Sequence, residues 1–108
     1  MYSNVSLFID GAWGDGQGAA LPVLNPATGE RIGTVAHAVP ADLERALAAA
    51  ERGFERWRHT SGFERSRILR RTATLLRERS EEIARLMTLE QGKVIAESRQ
   101  EVERGAET

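Results

Sequence analysis

The 108-residue sequence contains no cysteine, and this absence removes several kinds of chemistry at once. Without a thiol these residues form no disulfide, bind no zinc through thiolates and supply no cysteine nucleophile. No apolar run approaches the ~20 residues that a membrane-spanning helix requires, so no membrane partner is expected. The residues that follow Met1 lack the basic and apolar segments of a secretory signal, and we expect a cytoplasmic location.

An excess of charge of one sign is also missing. Lysine and arginine total 15, aspartate and glutamate total 16, and the formal net charge is −1. Net charge of this size does not steer nucleic acid to a protein. The arginines between Arg65 and Arg79 could indicate an RNA-binding helix. Glutamates alternate with them at helical spacing, however, which predicts ion pairs on a solvated helix face. We therefore expect no nucleic-acid partner.

Histidine is scarce, and the glycines do not form a convincing phosphate loop. His37 and His59 have no second ligand three or four residues away, so neither indicates a metal site. The run Gly14-Asp15-Gly16-Gln17-Gly18 has the spacing of a phosphate loop. A dinucleotide fingerprint needs a helix directly after the glycines, whereas here the extended run Leu21-Pro22-Val23 follows. We interpret the glycine run as a loop.

Residues 1–38 are typical of strands and turns. Asp10-Gly11 lies between two short apolar runs and predicts a two-residue hairpin. Pro22 suits the extended run Leu21–Leu24 to the edge of a sheet. The polar segment Asn25–Glu30 predicts a tight turn, and Ile32 begins a third short strand.

Residues 39–108 are typical of amphipathic helices, because apolar residues recur at i, i+3, i+4 and i+7. The predicted boundaries are a start at Pro40, an end near Arg58, a Ser61–Glu64 capping box, a start capped or kinked at Ser80, an end at Gly92 and a start near Val94. Asp42 favours the dipole at the first of these starts. The short strands are too few to cover the helices. We therefore expect residues 1–108 to be a partial N-terminal segment of a larger domain, incomplete at its C-terminus.

Several segments, in this order and spacing, resemble the N-terminal region of the NAD(P)-dependent aldehyde dehydrogenase superfamily. They are Leu7–Trp13, Asn25–Glu30, Asp42–Ala46 with Phe54 and Trp57, Glu64–Leu69, Thr88–Lys93 and Ala96–Val102. The resemblance implies an α/β fold: an N-terminal fragment of a cofactor-binding domain, with short β-strands followed by amphipathic helices. The forms at Glu90–Lys93 and Ile32–Ala38 are most similar to the succinate-semialdehyde and α-ketoglutarate-semialdehyde branch.

The resemblance also implies an activity for the intact enzyme. That activity is NAD(P)+-dependent oxidation of an aldehyde, of the semialdehyde type, to a carboxylate through a cysteine thioester. The intact enzyme would bind NAD or NADP and an aldehyde substrate, and we expect it to be a homo-oligomer. The family's catalytic and cofactor groups lie beyond residue 108, so the resemblance assigns no catalytic and no cofactor-binding residue here. We expect the chain alone to be inactive, to bind no NAD(P), and to have the remainder of the enzyme domain as its partner.

One binding site does transfer by resemblance. Several family members hold a monovalent cation through two consecutive carbonyls just before the Asn-Pro turn and a carboxylate just before the Gly-Lys segment. The matching residues here are Val23, Leu24 and Glu90, with glutamate where aspartate is common. The alternative is that Glu90 is an ordinary charge at a helix end.

A second interpretation belongs to a different class of protein. The chain would be a truncated, non-catalytic helical interaction module. It would use the amphipathic faces around Leu69–Leu76 and Ile83–Met87 to bind a partner or a second copy of itself.

Overall fold

Short strands precede helices along the chain, in the order that the sequence predicts. The computed structural model describes Tyr2 and residues 4–108, which divide into two units. Unit 1 contains the residues through Leu24 together with Arg31–Thr60, and unit 2 contains Asn25–Glu30 and Ser61–Thr108. The elements are β1 (Leu7–Ile9), β2 (Ala12–Gly14), β3 (Leu21–Leu24), β4 (Arg31–Val35), α1 (Pro40–Arg58), α2 (Gly62–Glu78), α3 (Ser80–Gln91) and α4 (Ile95–Glu107).

The first hairpin of unit 1 is built on a two-residue turn. Asp10 has φ 55° and Gly11 has φ 78°, so both central residues adopt the left-handed conformation that a type I′ turn requires. Strands β1 and β2 are antiparallel and pair Phe8 with Trp13 and Ile9 with Ala12. The rings of Phe8 and Trp13 lie 4.8 Å apart. The hairpin predicted from Asp10-Gly11 is confirmed.

Strands β3 and β4 form a second antiparallel pair in unit 1. Pro22 lies opposite Thr34 in this two-stranded ladder, so the proline stands on an edge as predicted. Val23 pairs with Gly33 but Leu24 pairs with Arg31, which places a β-bulge between Val23 and Leu24. The regular ladder is therefore interrupted at the end of β3.

Helix α1 begins at Pro40, as predicted, and its start depends on a buried carboxylate. Asp42 Oδ2 accepts hydrogen bonds from the backbone N–H groups of Gln17 and Val39, both at 3.1 Å. Arg45 donates to Oδ1 at 2.6 Å. The bond from Gln17 has the largest effect in lowering the pKa of Asp42, followed by those from Val39 and Arg45. Asp42 thus joins the glycine-rich loop to α1, a role beyond the favourable dipole position that the sequence indicated.

The large apolar residues of α1 are exposed within unit 1. Ala46 and Ala49 are partly buried, whereas the side chains that give the helix its apolar stripe are at the surface. Leu47 is 71% exposed and Phe54 is 60% exposed. The partly buried side of α1 therefore carries small residues, whereas its large apolar side chains are exposed to solvent.

Helix α2 of unit 2 begins after Ser61, where the sequence predicts it. The backbone N–H of Glu64 donates to Ser61 Oγ at 3.2 Å. The Glu64 carboxylate accepts from the Ser61 hydroxyl at 3.1 Å, rather than from the Ser61 backbone N–H of a full capping box.

Helix α3 starts at Ser80, where the sequence predicts a start that is either capped or kinked, but the cap is absent. Ser80 is the first residue of α3, its side chain makes no cap hydrogen bond, and Arg79 holds the N-cap position. Arg79 N–H donates to the Leu75 carbonyl, and Ile83 N–H donates to the Arg79 carbonyl. Because backbone hydrogen bonds continue through the junction, no hydroxyl cap is needed there.

Small residues form the interior of unit 2. Ala84, Val102 and Ala106 are buried, and the fully buried Ser98 shares a 3.0 Å hydroxyl–hydroxyl hydrogen bond with Thr88. These short side chains let α3 and α4 approach closely.

The helix end predicted at Gly92 is confirmed. Gly92 has φ 70° and donates its N–H to the Thr88 carbonyl at 2.9 Å. An alanine Cβ at residue 92 would lie 2.9 Å from Cγ of Pro26. The Asn25–Glu30 turn therefore packs against the C-terminal end of α3.

Ion pairs among the described residues of unit 2 form both within helices and between them. The sequence predicts pairs within helices, and Arg85 to Glu81 is one at 3.1 Å. Glu81 also accepts two hydrogen bonds from Arg99 of α4, both at 2.9 Å. Arg77 of α2 reaches Glu103 of α4 at 2.9 Å. Since α4 packs against both α2 and α3, its charged side chains can pair with charges on those two helices as well as with their own helix neighbours.

Among the described residues, no helix has both the length and the apolar character needed to cross a membrane.

Glu81 should make the stability of the protein acid-sensitive. The hydrogen bonds from Arg99, and secondarily from Arg85, lower the pKa of Glu81 from 4.5 to about 2. A carboxyl whose pKa is depressed by folding contributes stability above its unfolded value and loses it as pH falls through its folded value. Urea unfolding of wild type should therefore show a loss of stability between pH 4.5 and about 2.

The variant Glu81→Gln should flatten that acid limb and lower stability at neutral pH. Glu82→Gln is the matched control, because Glu82 is the next residue on α3 and has no ion pair among the described residues. Parallel pH profiles for wild type and Glu81→Gln would contradict the assignment.

Replacing Gly92 by alanine should destabilise the protein by about 1–2 kcal/mol, because an L-residue is strained in the left-handed conformation and the new Cβ crowds Pro26. Gly105→Ala in α4 is the control, since Gly105 has open space around it and alanine is the better helix former. Chemical denaturation measures both variants. Equal stability of Gly92→Ala and wild type would refute the role of Gly92.

Candidate functional site

The residues predicted to bind a cation lie at the end of β3 and in the last turn of α3. Val23 and Leu24 end β3 in unit 1, on either side of the β-bulge. Their partners are Gly33 and Arg31, so Ile32 is the extra residue of the facing strand. Bulges reorient backbone groups away from the regular ladder. The structure therefore has irregular pairing at the two residues whose carbonyls are predicted to bind the cation.

The turn that follows Leu24 has the chemistry predicted from its sequence. Asn25 Oδ1 accepts from the N–H of Ala27 at 2.9 Å, and the Asn25 carbonyl accepts from Gly29 at 2.8 Å. Gly29 has φ 74°, and Asn25 N–H donates to the Glu30 carbonyl at 2.9 Å. This closes a tight reversal in unit 2.

Glu90 lies in the last turn of α3, two residues before the left-handed Gly92. The structure brings this helix end and Pro26 of the Asn-Pro turn together within unit 2. Val23 and Leu24 belong to unit 1, so the three predicted ligands divide between the two units. The cation site stays a prediction. Within the part of the chain that the structure describes, histidine and carboxylate side chains form no group of three suited to a metal ion.

The segment after Gly92 carries an ion pair that sequence reasoning missed. Lys93, at the link between α3 and α4, pairs with Glu101 of α4. A separation of eight residues across a helix break gives no periodic signal, so the pair could be recognised only in the structure. The buried Asp42 was detectable in principle, because an acidic residue two positions after an N-terminal proline often reaches back to a backbone N–H.

The glycine-rich run is a loop, as predicted. Gly14 ends β2 and the chain continues into β3, so no helix directly follows these glycines, as a dinucleotide fingerprint requires. Gly18 lies so close to the His37 backbone that a Cβ there would be 2.2 Å from the His37 carbonyl oxygen. These glycines allow close packing, and the loop does not fit a dinucleotide.

The comparisons with known proteins all indicate the same family. The model of the aldehyde dehydrogenase family matches residues 13–108. The glutarate-semialdehyde dehydrogenase of Pseudomonas aeruginosa is 44% identical over 96 residues, which is 88% of this chain and 20% of that protein.

Two solved structures agree. An NAD-dependent aldehyde dehydrogenase from Sinorhizobium meliloti superposes with a TM-score of 0.93 at 35% identity, over 99% of this chain and 22% of that one. HpcC from Thermus thermophilus gives 0.94 at 35% identity, over 97% and 21%. The chain spans about a fifth of the length of these relatives. Because the family model covers residues 13–108, this chain belongs to the aldehyde dehydrogenase family, as its sequence motifs indicated.

Proposed function

We propose that this chain is the N-terminal structural part of an NAD(P)+-dependent aldehyde dehydrogenase that oxidises a semialdehyde to a carboxylate. The observation that carries the proposal is the family match over residues 13–108. The 44% identity to a glutarate-semialdehyde dehydrogenase supports a semialdehyde substrate. The cytoplasmic location expected from the sequence and the homo-oligomeric state implied by the family resemblance are part of the same proposal.

The chain's own residues support folding rather than chemistry in this proposal. The family reaction requires a cysteine and a bound nicotinamide, whereas this chain has no cysteine and its glycine loop does not fit a dinucleotide. Residues 1–38 would supply the strands and turns, and residues 39–108 the helices, of a domain completed by other residues of the enzyme.

Uncovered apolar side chains support the idea that the remainder of the enzyme is the partner. In unit 1, the side chains of Leu47 and Phe54 on α1 are exposed. In unit 2, Phe63 on α2 is 81% exposed, and Leu69 on the same helix is also exposed. Burying one such side chain fully contributes about 1.5–3 kcal/mol. A monomer rarely leaves large contiguous apolar surface in water. The relatives are about five times as long as this chain, so each has ample further sequence with which to cover these faces.

The proposal predicts activity only in the longer protein. Purified full-length protein should reduce NAD+ or NADP+ with glutarate semialdehyde, measured by the absorbance of the reduced nicotinamide, and residues 1–108 alone should give none. A full-length Phe54→Ser variant should lose stability, whereas Arg56→Ser, on the same helix, should not. Inactivity of the full-length protein on a panel of semialdehydes, or activity of the 108-residue chain, would contradict the proposal.

The helical interaction module gives a different result. The chain alone would then unfold cooperatively and bind a second copy or a partner through Leu69–Leu76 and Ile83–Met87. Analytical ultracentrifugation and thermal unfolding of the isolated chain test this alternative.

A monovalent cation site at Val23, Leu24 and Glu90 is part of the proposal. Carbonyl and carboxylate oxygens suit a hard cation. Two observations support it: the ladder is interrupted between Val23 and Leu24, and Glu90 lies at the helix end against which the Asn-Pro turn packs. Leu24 is joined directly to Asn25 of that turn.

Potassium should raise the melting temperature of the full-length protein above that in an equal concentration of tetramethylammonium, because a ligand bound only to the folded state stabilises it in proportion to log concentration above Kd. Glu90→Ala should abolish the difference between the two salts, and the control Glu97→Ala, on the first turn of α4, should retain it. Equal melting temperatures in both salts for wild type and Glu90→Ala would exclude the site without affecting the proposed dehydrogenase activity.

A further inference from the structure

Unit 1 contains two Asp-Gly dipeptides, Asp10-Gly11 and Asp15-Gly16, and this sequence has a chemistry of its own. The backbone nitrogen of the glycine can attack Cγ of the aspartate, forming an N–Cγ bond while the carboxyl loses an oxygen and the amide loses its proton, so that one water leaves. Water then reopens the succinimide at either carbonyl. One product is aspartate, and the other is isoaspartate, whose main chain runs through Cβ. No other reactant is required.

The geometry at Asp10 leaves room for this ring. Its side chain is 65% exposed at the hairpin tip, and no atom beyond Gly11 and its two chain neighbours lies within 4 Å of where a Cβ of Gly11 would be. A cavity of about 350 Å³ lies between the tip and α1, lined in part by Ile9, Ala46 and Ala49. Space is therefore not what limits cyclisation at this dipeptide.

A contact with α1 opposes the reaction. Arg52 Nη2 donates to Asp10 Oδ2 at 2.8 Å, although the two residues are 42 positions apart. Cyclisation needs the carboxyl group to leave the guanidinium and turn onto the Gly11 nitrogen. The type I′ turn, held by the pairing of Ile9 with Ala12, further restricts the backbone rotation that this approach requires.

We propose that Asp10-Gly11 is a site of spontaneous isoaspartate formation and that Arg52 protects it by holding the Asp10 carboxylate away from the Gly11 nitrogen. Conversion lengthens the turn by one main-chain atom. Because a two-residue turn fixes hairpin register, the product no longer supports the pairing of Phe8 with Trp13. The modification would thus loosen β1 and β2 as the protein ages.

The second dipeptide is an internal reference in the same molecule. Asp15 is exposed and accepts a hydrogen bond from the Ser6 hydroxyl at 3.1 Å. Among the described residues no arginine or lysine forms an ion pair with Asp15. Its rate of isomerisation should not depend on Arg52.

The test compares full-length wild type with Arg52→Ala and Arg52→Lys during incubation at neutral pH. Isoaspartate at each position is quantified by peptide mapping and by methyl transfer from protein isoaspartate methyltransferase. Arg52→Ala should accelerate isomerisation at Asp10 by about two- to fivefold, the equilibrium factor that corresponds to an exposed ion pair. Arg52→Lys should fall between, because its ammonium keeps the charge but not the planar donor geometry.

Controls separate protection from general loosening. Arg56→Ala, on the same helix, should age as wild type does, and Asp10→Ser should remove the signal at residue 10. The rate at Asp15 should be equal in all variants. In denaturant, wild type and Arg52→Ala should age equally at Asp10. The proposal is overturned if folded Arg52→Ala ages at the wild-type rate at Asp10, or if the rates at Asp10 and Asp15 rise together.

Discussion

Three donors converge on the buried carboxylate of Asp42, and much of unit 1 depends on that convergence. Gln17 belongs to the loop after β2, Val39 precedes α1, and Arg45 lies one turn into the helix. A buried charge is costly unless it is paired and hydrogen-bonded, and here both conditions hold. The carboxylate therefore fixes where the loop ends and where the helix starts. In the same loop, Gly18 lies close to the His37 backbone.

Unit 2 is held together by different means. Its interior consists of short side chains such as Ala84, Ser98 and Ala106, which bury little apolar area per residue. Ion pairs from α4 to α2 and α3 add to this packing, but such exposed pairs contribute only about 0–1 kcal/mol each. Both units therefore leave large apolar side chains at the surface. The helices thus form where the sequence predicts them, although many of their large apolar side chains remain exposed.

Local signals in the sequence predicted most of the fold. Asp10-Gly11, Pro40, Ser61 and Gly92 act through their own backbone preferences, and each marks a boundary that the structure contains. The Ser80 side chain does not cap α3, because the backbone groups at the junction form hydrogen bonds with backbone groups of the neighbouring turns. Long-range partners were missed, since the pairs Asp10–Arg52 and Lys93–Glu101 depend on how elements pack. The candidate cation ligands came from resemblance, and no local physical signal in Val23 or Leu24 distinguishes a binding carbonyl from an ordinary one.

The residues that mark family membership in this chain are not catalytic residues, and there is a physical reason for this. The features through which this sequence resembles the family, the hairpin, the Asn-Pro turn and the end of α3, are places where backbone conformation is constrained, and such constraints leave recognisable residues. The sequence contains no cysteine that could act as the family's nucleophile. The residues at these turns and helix ends are retained as long as the surrounding domain packs in the same way. A turn such as Asn25–Glu30, which packs on Gly92, can thus mark membership of the family while its own contribution is to hold a helix end in place.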